Sequence, residues 1–193
     1  MNRKTLLVDC DGTVCDGILN KWVLWLQEQT GVEKDISKLS GYGIINYDLA
    51  SYWKEELTEE GIDPFNFWRR KDIYEDVLPC PWSQDVLYYM WDAGWDIVFV
   101  THIKGSHFHS KHRFLKQHFP WLTGVVATKE KFLVRGDALI DDRNEHLASM
   151  LEGVKCIQRI TPFSQSVELT KEHLKYNWTM GANILYEYLE RKD

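Results

Sequence analysis

An α/β fold built on a parallel, Rossmann-like sheet covered by helices is predicted by three observations. Apolar runs of strand length recur along the chain, separated by stretches with helical periodicity, which is the pattern of β–α–β units. Several of these runs stop at carboxylates or hydroxyls, as strands do when they deliver polar side chains to the carboxyl edge of a buried sheet. The pattern lapses once, between the first run and about residue 80, where glycines and prolines break the periodicity. A small helical insertion is expected there.

The elements follow in order. Thr5-Leu6-Leu7-Val8 is apolar and ends at Asp9 and Asp11, a buried first strand. From Asp16 to Thr30, the residues Ile18, Leu19, Trp22, Val23, Trp25 and Leu26 recur at helical spacing and stop at Gly31. Between Gly31 and Pro81 there is room only for short helices, near Asn46 to Glu55 and Pro64 to Arg70. Ser83 to Ala93 reads as a helix stopped by Gly94, and Trp95 to Thr101 as a second buried strand ending in a hydroxyl. A helix over Phe108 to His118, strands over Gly124 to Ala127 and Asp137 to Asp141, a helix over Asn144 to Leu151, a strand over Val154 to Gln158 and a last helix over Thr179 to Glu190 complete the alternation. Residues 1–14 and 81–193 are therefore expected to form the core, and residues 15–80 a helical cap placed directly after the paired acids.

Bulk properties exclude several classes. The chain has 193 residues, a formal charge of −6 and 27% charged residues, without the basic excess that phosphate-neutralising duplex binders need. No stable nucleic-acid partner is expected. No apolar run approaches the length of a membrane span and no signal-peptide pattern follows Met1, so a cytoplasmic location and no membrane contact are expected. Cys10, Cys15, Cys80 and Cys156 form no Cys-x-x-Cys pair and read as reduced thiols.

The chemistry converges on strand ends. Asp9 and Asp11 close the first strand, Thr101 the second, and Asp141-Asp142 a later one, with Lys131 ten residues upstream of Asp141. Like charges one residue apart require a cation, a shared proton or a division of labour. Four carboxylates, a hydroxyl and an ammonium at one sheet edge suit phosphoryl transfer, whose developing charge needs a hard divalent cation and a positive clamp. A carboxylate can itself be the nucleophile, through an aspartyl-phosphate.

These residues, Asp9-Cys10-Asp11-Gly12-Thr13, Thr101, Lys131 and Asp141-Asp142 in that order, resemble the four motifs of the haloacid dehalogenase superfamily. The resemblance implies Asp9 as nucleophile, Asp11 as general acid and base, and Thr101 and Lys131 as phosphate clamp. It also implies Mg²⁺ as cofactor, held by Asp9, Asp142 and the Asp11 carbonyl, with Asp141 auxiliary. Within the superfamily the chain is similar to the 5'(3')-deoxyribonucleotidases. Tyr74 to Pro81, Lys111 to His118, Lys131 through Gly136 to Arg143, and Asn177-Trp178 carry that likeness. It implies a Mg²⁺-dependent phosphatase acting on (deoxy)nucleoside monophosphates, a small-molecule nucleotide as partner, and room for a homodimer. A phosphatase for another small phosphometabolite or for a 3'-phosphorylated nucleic-acid end is the nearest alternative, and a catalytically silent binding protein of the same fold a further one.

Two departures stand out. His102-Ile103 replaces the Ser-Pro that commonly follows the second-motif threonine, making His102 a candidate phosphate contact, and Gly17-Ile18 stands where the family places an early cap aromatic. Lys104 is an auxiliary candidate. The cluster His102, His107, His109 and His112 has neither His-x-x-x-His nor Cys/His-knuckle spacing, so no zinc site is expected. The cap's rings, Trp22, Trp25, Tyr42, Tyr47, Tyr52, Trp53, Phe65, Phe67, Trp68 and Tyr74, are expected mostly to pack the cap itself, with two or three facing a substrate.

Overall fold

The computed structural model describes residues 3–39, 44–103 and 106–191. Among them six strands form one sheet in the order β3-β2-β1-β4-β5-β6, all pairs parallel. The strands are β1 Lys4–Val8, β2 Trp95–Thr101, β3 Gly124–Ala127, β4 Ala138–Asp141, β5 Lys155–Arg159 and β6 His173–Tyr176. The helices are α1 Gly17–Thr30, α2 Ile36–Leu39, α3 Lys54–Glu59, α4 Ser83–Asp92, α5 Phe108–His118, α6 Asn144–Ser149 and α7 Ala182–Glu190.

β1 is central because it is apolar on both faces. Leu6 and Val8 pack, with Cys10, into the larger hydrophobic cluster, while Leu7 points the other way and joins Val100, Leu139, Leu147 and Cys156. This is the side-chain alternation of a strand covered on both faces. After β1 the chain builds outward through β2 and β3, then returns to lay β4 on the opposite flank. The strand order therefore reverses between β1 and β4, the point at which open parallel sheets leave a crevice beyond their carboxyl ends.

Between β1 and α4, the described residues hold only α1, α2, α3 and 3₁₀ turns at Leu49–Trp53 and Pro64–Arg69, with no strand beyond isolated bridges. Two features tie this segment to the rest. Trp22, Trp25, Leu26, Trp53 and Phe67 lie in the same hydrophobic cluster as Val8 and Ile140. At its rim, Ile45 N–H donates to Pro162 O and Ser164 N–H to Ile45 O, each at 2.8 Å, a one-residue parallel bridge from Ile45 to Phe163.

Two differences from the sequence-based expectation concern the C-terminal third. Strand β6 pairs with β5 from Cys156↔His173 to Arg159↔Tyr176. It is a four-residue edge strand, His-Leu-Lys-Tyr, whose polar residues leave no apolar run to read, as short charged edges commonly do. The last helix begins at Ala182 rather than Thr179. A 3₁₀ turn at Trp178–Met180, capped by Asn177, precedes it, and Gly181 at φ 81° separates the two, a backbone value that suits glycine. No helix among the described residues is long and apolar enough to cross a membrane. All four cysteines are buried free thiols.

Candidate active site

The loop leaving β1 is wound tightly. Thr13, Val14 and Cys15 all direct their N–H groups at Cys10 O, at 3.3, 2.9 and 3.0 Å. Gly12 sits at φ 74°, and a Cβ there would come 2.5 Å from Asp142 Oδ2. A side chain at that position would displace Asp142, so the glycine sets how closely the first and last motifs approach. Asp9 N–H still donates to Ile140 O at 2.9 Å, which holds Asp9 in register beside the end of β4.

The two acids of the first motif face different partners. Asp9 belongs to a buried group with Asp141 and Asp142, whose ligand oxygens lie within 4.8 Å of one another. Lys131, itself 2% exposed, sits 2.6 Å from Asp9 Oδ1 and 2.5 Å from Asp141 Oδ2. Asp141 also accepts from Arg143 N–H at 2.9 Å and from His146 Nδ1 at 3.1 Å. Burial alone would raise the Asp141 pKa, but Lys131 and His146 outweigh it and hold the group at about 2. Burial raises Asp9, with Lys131 opposing, and raises Asp142 well above the carboxylate range, aided by the charges of Asp141 and Asp9.

Asp142 is the member without compensation. Its Oδ1 receives only a long contact from Thr13 Oγ1 at 3.4 Å, and its Oδ2 has no hydrogen-bond partner although fully buried. Ionised together, the three carboxyls would outweigh the one ammonium by two negative charges, and an orphaned buried oxygen normally signals a missing partner. Oxygen donors with this charge fit a hard divalent cation. Asp9, Asp141 and Asp142 are the side chains that would hold it.

Asp11 faces a second environment. Its Oδ2 accepts from Lys111 Nζ at 2.7 Å, and its Oδ1 from the Tyr74 hydroxyl. Lys111 is fully buried and also donates to Thr101 Oγ1 at 2.8 Å and to His102 O at 3.0 Å. Burial works against its charge, but Asp11 first and Asp9 further off keep the pKa above the usual lysine value.

Above both environments lies a cleft of about 430 Å³. Asp9, Asp11, Thr101, His102 and Lys131 contribute to its floor, and Trp22, Tyr47, Phe65, Trp68 and Phe163 to its lining. Four rings of the segment between β1 and α4, Trp22, Tyr47, Phe65 and Trp68, thus line the cleft, whereas Trp25, Trp53, Phe67 and Tyr74 are buried away from it. Tyr42 and Lys104 lie outside the described residues. Trp22 and Trp68 meet edge to face at 5.4 Å, Tyr47 and Phe163 at 5.6 Å, and the Arg143 guanidinium stacks 4.5 Å over Tyr47. No histidine among the described residues joins a metal-binding group; His107 Nδ1 donates to Trp68 O at 2.6 Å.

Sequence reasoning placed Asp9, Asp11, Thr101, His102, Lys131, Asp141 and Asp142 at one edge, and the fold brings them together. It missed Lys111, Tyr74, His146 and the Arg143–Tyr47 pair. A signal for Lys111 exists: it shares the buried stripe of α5 with Phe114 and Leu115, three and four residues on, where an unpaired lysine would be costly. Tyr74 and His146 carry no comparable mark.

The uncompensated Asp142 has a measurable consequence. A carboxyl whose folded pKa is raised destabilises the metal-free protein increasingly as pH climbs from the ordinary carboxylate range through the raised value. In chelator, Asp142→Asn should therefore raise stability at neutral pH by about 1–2 kcal/mol, or roughly 2–8 °C in Tm. Mg²⁺ should raise the wild-type Tm and leave that of the variant nearly unchanged. Thermal melts of both proteins with chelator and with Mg²⁺ check this.

Comparison with known proteins agrees with the geometry. Residues 3–180 match the model of a family described as 5' nucleotidase, deoxy (pyrimidine), cytosolic type C protein. A search of curated proteins finds no match. Among solved structures, a HAD-family hydrolase from Deinococcus radiodurans R1 with bound phosphate and sodium aligns at TM-score 0.59 and 13% identity, covering 96% of each chain. A predicted phosphoglycolate phosphatase from Haemophilus somnus 129pt aligns at TM-score 0.58 and 11% identity, covering 95% of this chain and 97% of that one. A HAD-superfamily hydrolase from Ehrlichia chaffeensis aligns at TM-score 0.55 and 11% identity, covering 98% and 100%. Such identities speak for the fold, and the family match, which runs from β1 past β6, speaks for descent. The chain has the haloacid dehalogenase fold and belongs to the cytosolic type C family of deoxy (pyrimidine) 5'-nucleotidases.

Proposed function

We propose that this protein is a Mg²⁺-dependent phosphatase that hydrolyses (deoxy)nucleoside monophosphates through an aspartyl-phosphate on Asp9. The observation that carries the reading is the separation of the paired acids: Asp9 beside Lys131 in an acidic group, Asp11 between Lys111 and Tyr74. Two carboxylates in different surroundings can take different roles. Asp9, held 2.6 Å from the Lys131 ammonium, attacks phosphorus in line. The bond from phosphorus to the sugar oxygen breaks as Asp11 passes its proton to that oxygen. Asp11, now a carboxylate, takes a proton from the water that attacks the aspartyl-phosphate; phosphate departs and Asp9 is restored. Lys131 and Thr101, with His102 at the cleft floor, hold the phosphoryl oxygens. Asp9, Asp141 and Asp142, with the Asp11 carbonyl, would hold a divalent cation, which would supply positive charge against the phosphate.

Residues 15–80 act in this reading as the cap that selects substrate. The rings of Trp22, Tyr47, Phe65, Trp68 and Phe163 around a cleft of about 430 Å³ support a flat, planar substrate group, since aromatic faces stack on nucleobases. The family match supports a deoxypyrimidine nucleotide over other phosphate esters.

A substrate panel with Mg²⁺ tests the proposal. Phosphate release from dUMP or dTMP should exceed that from sugar phosphates by at least about 100-fold in kcat/KM, a difference of about 2.7 kcal/mol. Preference for 3'-phosphorylated oligonucleotides or for a sugar phosphate would replace the substrate assignment. Failure to hydrolyse even an aryl phosphate would overturn the catalytic reading.

A further inference from the structure

The cap contributes more than a wall. We propose that Tyr74 is a positioning residue for phosphoryl transfer, its hydroxyl holding Asp11 in line with the leaving-group oxygen and stabilising the charge Asp11 acquires on giving up its proton. The inference rests on the acid–base role of Asp11 proposed above.

Three observations carry it. The Tyr74 hydroxyl donates to Asp11 Oδ1 while Lys111 Nζ donates to Oδ2 at 2.7 Å, so the carboxyl plane is fixed from both ends by groups 63 and 100 residues away in sequence. The ring is itself fixed: it is 3% exposed, lies 5.8 Å from Phe114 and 5.9 Å from His107, and has the Lys111 ammonium 5.1 Å over its face. Its backbone is clamped as well, because Lys21 Nζ on α1 donates to the carbonyls on either side, Ile73 O at 3.3 Å and Glu75 O. A tyrosine used only for packing would not need its hydroxyl directed at a carboxylate of the reaction centre.

The chemistry gives the hydroxyl a defined moment of action. As the bond from phosphorus to the leaving oxygen breaks, the Asp11 proton moves to that oxygen and the Asp11 carboxyl becomes a carboxylate. Tyr74 keeps its own proton throughout. A hydrogen bond to the developing carboxylate is stronger than one to the neutral acid, so its contribution grows along the reaction coordinate. That benefit matters where the leaving oxygen needs a proton, as a sugar alkoxide does, and matters little for an aryl oxide that leaves as a stable anion.

The test compares leaving groups. kcat/KM is measured for wild type, Tyr74→Phe and Asp11→Asn on the fastest nucleoside monophosphate of the panel and on p-nitrophenyl phosphate, with thermal melts alongside. Tyr74→Phe keeps the ring and should fall about 10- to 100-fold on the nucleotide and less than about 3-fold on the aryl phosphate. Equal losses on both substrates would mark a merely structural residue, and no loss on either would leave the hydroxyl without a role; each overturns the inference. Asp11→Asn separates the two layers. If it discriminates between leaving groups and Tyr74→Phe does not, only the Tyr74 inference fails, whereas equal losses for Asp11→Asn overturn the acid–base reading and the inference with it.

Discussion

Replacing Asp9 by asparagine should lower kcat on the best nucleotide by about 10⁴-fold or more while the protein still folds. The substitution is nearly isosteric, keeps an oxygen that can accept from Lys131, and removes the anionic nucleophile. Stability should hold or rise slightly, because burial already pushes the Asp9 carboxyl upward against the pull of Lys131. Lys131 keeps Asp141 at 2.5 Å, so the neutralised position leaves no ammonium stranded. Steady-state rates at saturating Mg²⁺, with a melting curve on the same sample, read both halves of the prediction. Turnover close to wild type would sink the aspartyl-phosphate route.

Lys131→Met should produce the largest loss of stability of any site variant, about 3–5 kcal/mol, or roughly 6–20 °C in Tm for a chain of this size. The lysine is the only cation touching Asp9 and Asp141 among the described ion pairs of that group, apart from His146 when it is protonated. Without it three buried carboxylates face one another. The sign of the pH dependence follows from both partners. The lysine pKa lies above its ordinary value, because Asp141 and Asp9 overcome burial, so its contribution is complete below the ordinary lysine range and fades only as pH rises through the raised value. Asp141, held at about 2, contributes above the ordinary carboxylate range and loses that contribution as pH falls towards 2. Without the ammonium, burial and mutual repulsion push the Asp9, Asp141 and Asp142 carboxyls upward, so between roughly pH 6 and 9 the loss in Lys131→Met should grow as pH rises. Added Mg²⁺ should recover part of it, since a cation replaces a cation. Melts with and without Mg²⁺ across that range decide the matter; a loss below about 1 kcal/mol would mean that the buried charges are compensated elsewhere.

Much of the architecture is legible because burial leaves a plain trace. Strands β2 and β3 and helix α5 fall at the expected residues, since each is an apolar run or stripe bounded by polar or turn-forming residues. Strand β6 is not legible, because an edge strand of His-Leu-Lys-Tyr owes its conformation to β5 rather than to its own composition. The floor of the site is legible for a related reason: Asp9, Asp11, Thr101, Asp141 and Asp142 are polar residues terminating apolar runs. Its walls are not. Tyr74 reaches Asp11 from 63 residues away in sequence, and only packing reveals that its hydroxyl points inward. Tyr47 becomes a cleft residue through a bridge between Ile45 and Phe163 that no periodicity announces.

The shared hydrophobic cluster has an evolutionary corollary. Trp25, Trp53 and Phe67 of the inserted segment pack in one continuous core with Val8, Cys10 and Ile140, so the insert is not a cassette that can be exchanged whole. Removing it would strip the apolar cover from one face of β1, and a foreign insert would have to match that face residue by residue. Single replacements at Tyr47 or Phe65, which line the cleft but lie outside that cluster, would change the lining without disturbing the joint beneath. Selection can retune what the enzyme accepts while the ground on which Asp9 and Asp11 stand stays fixed.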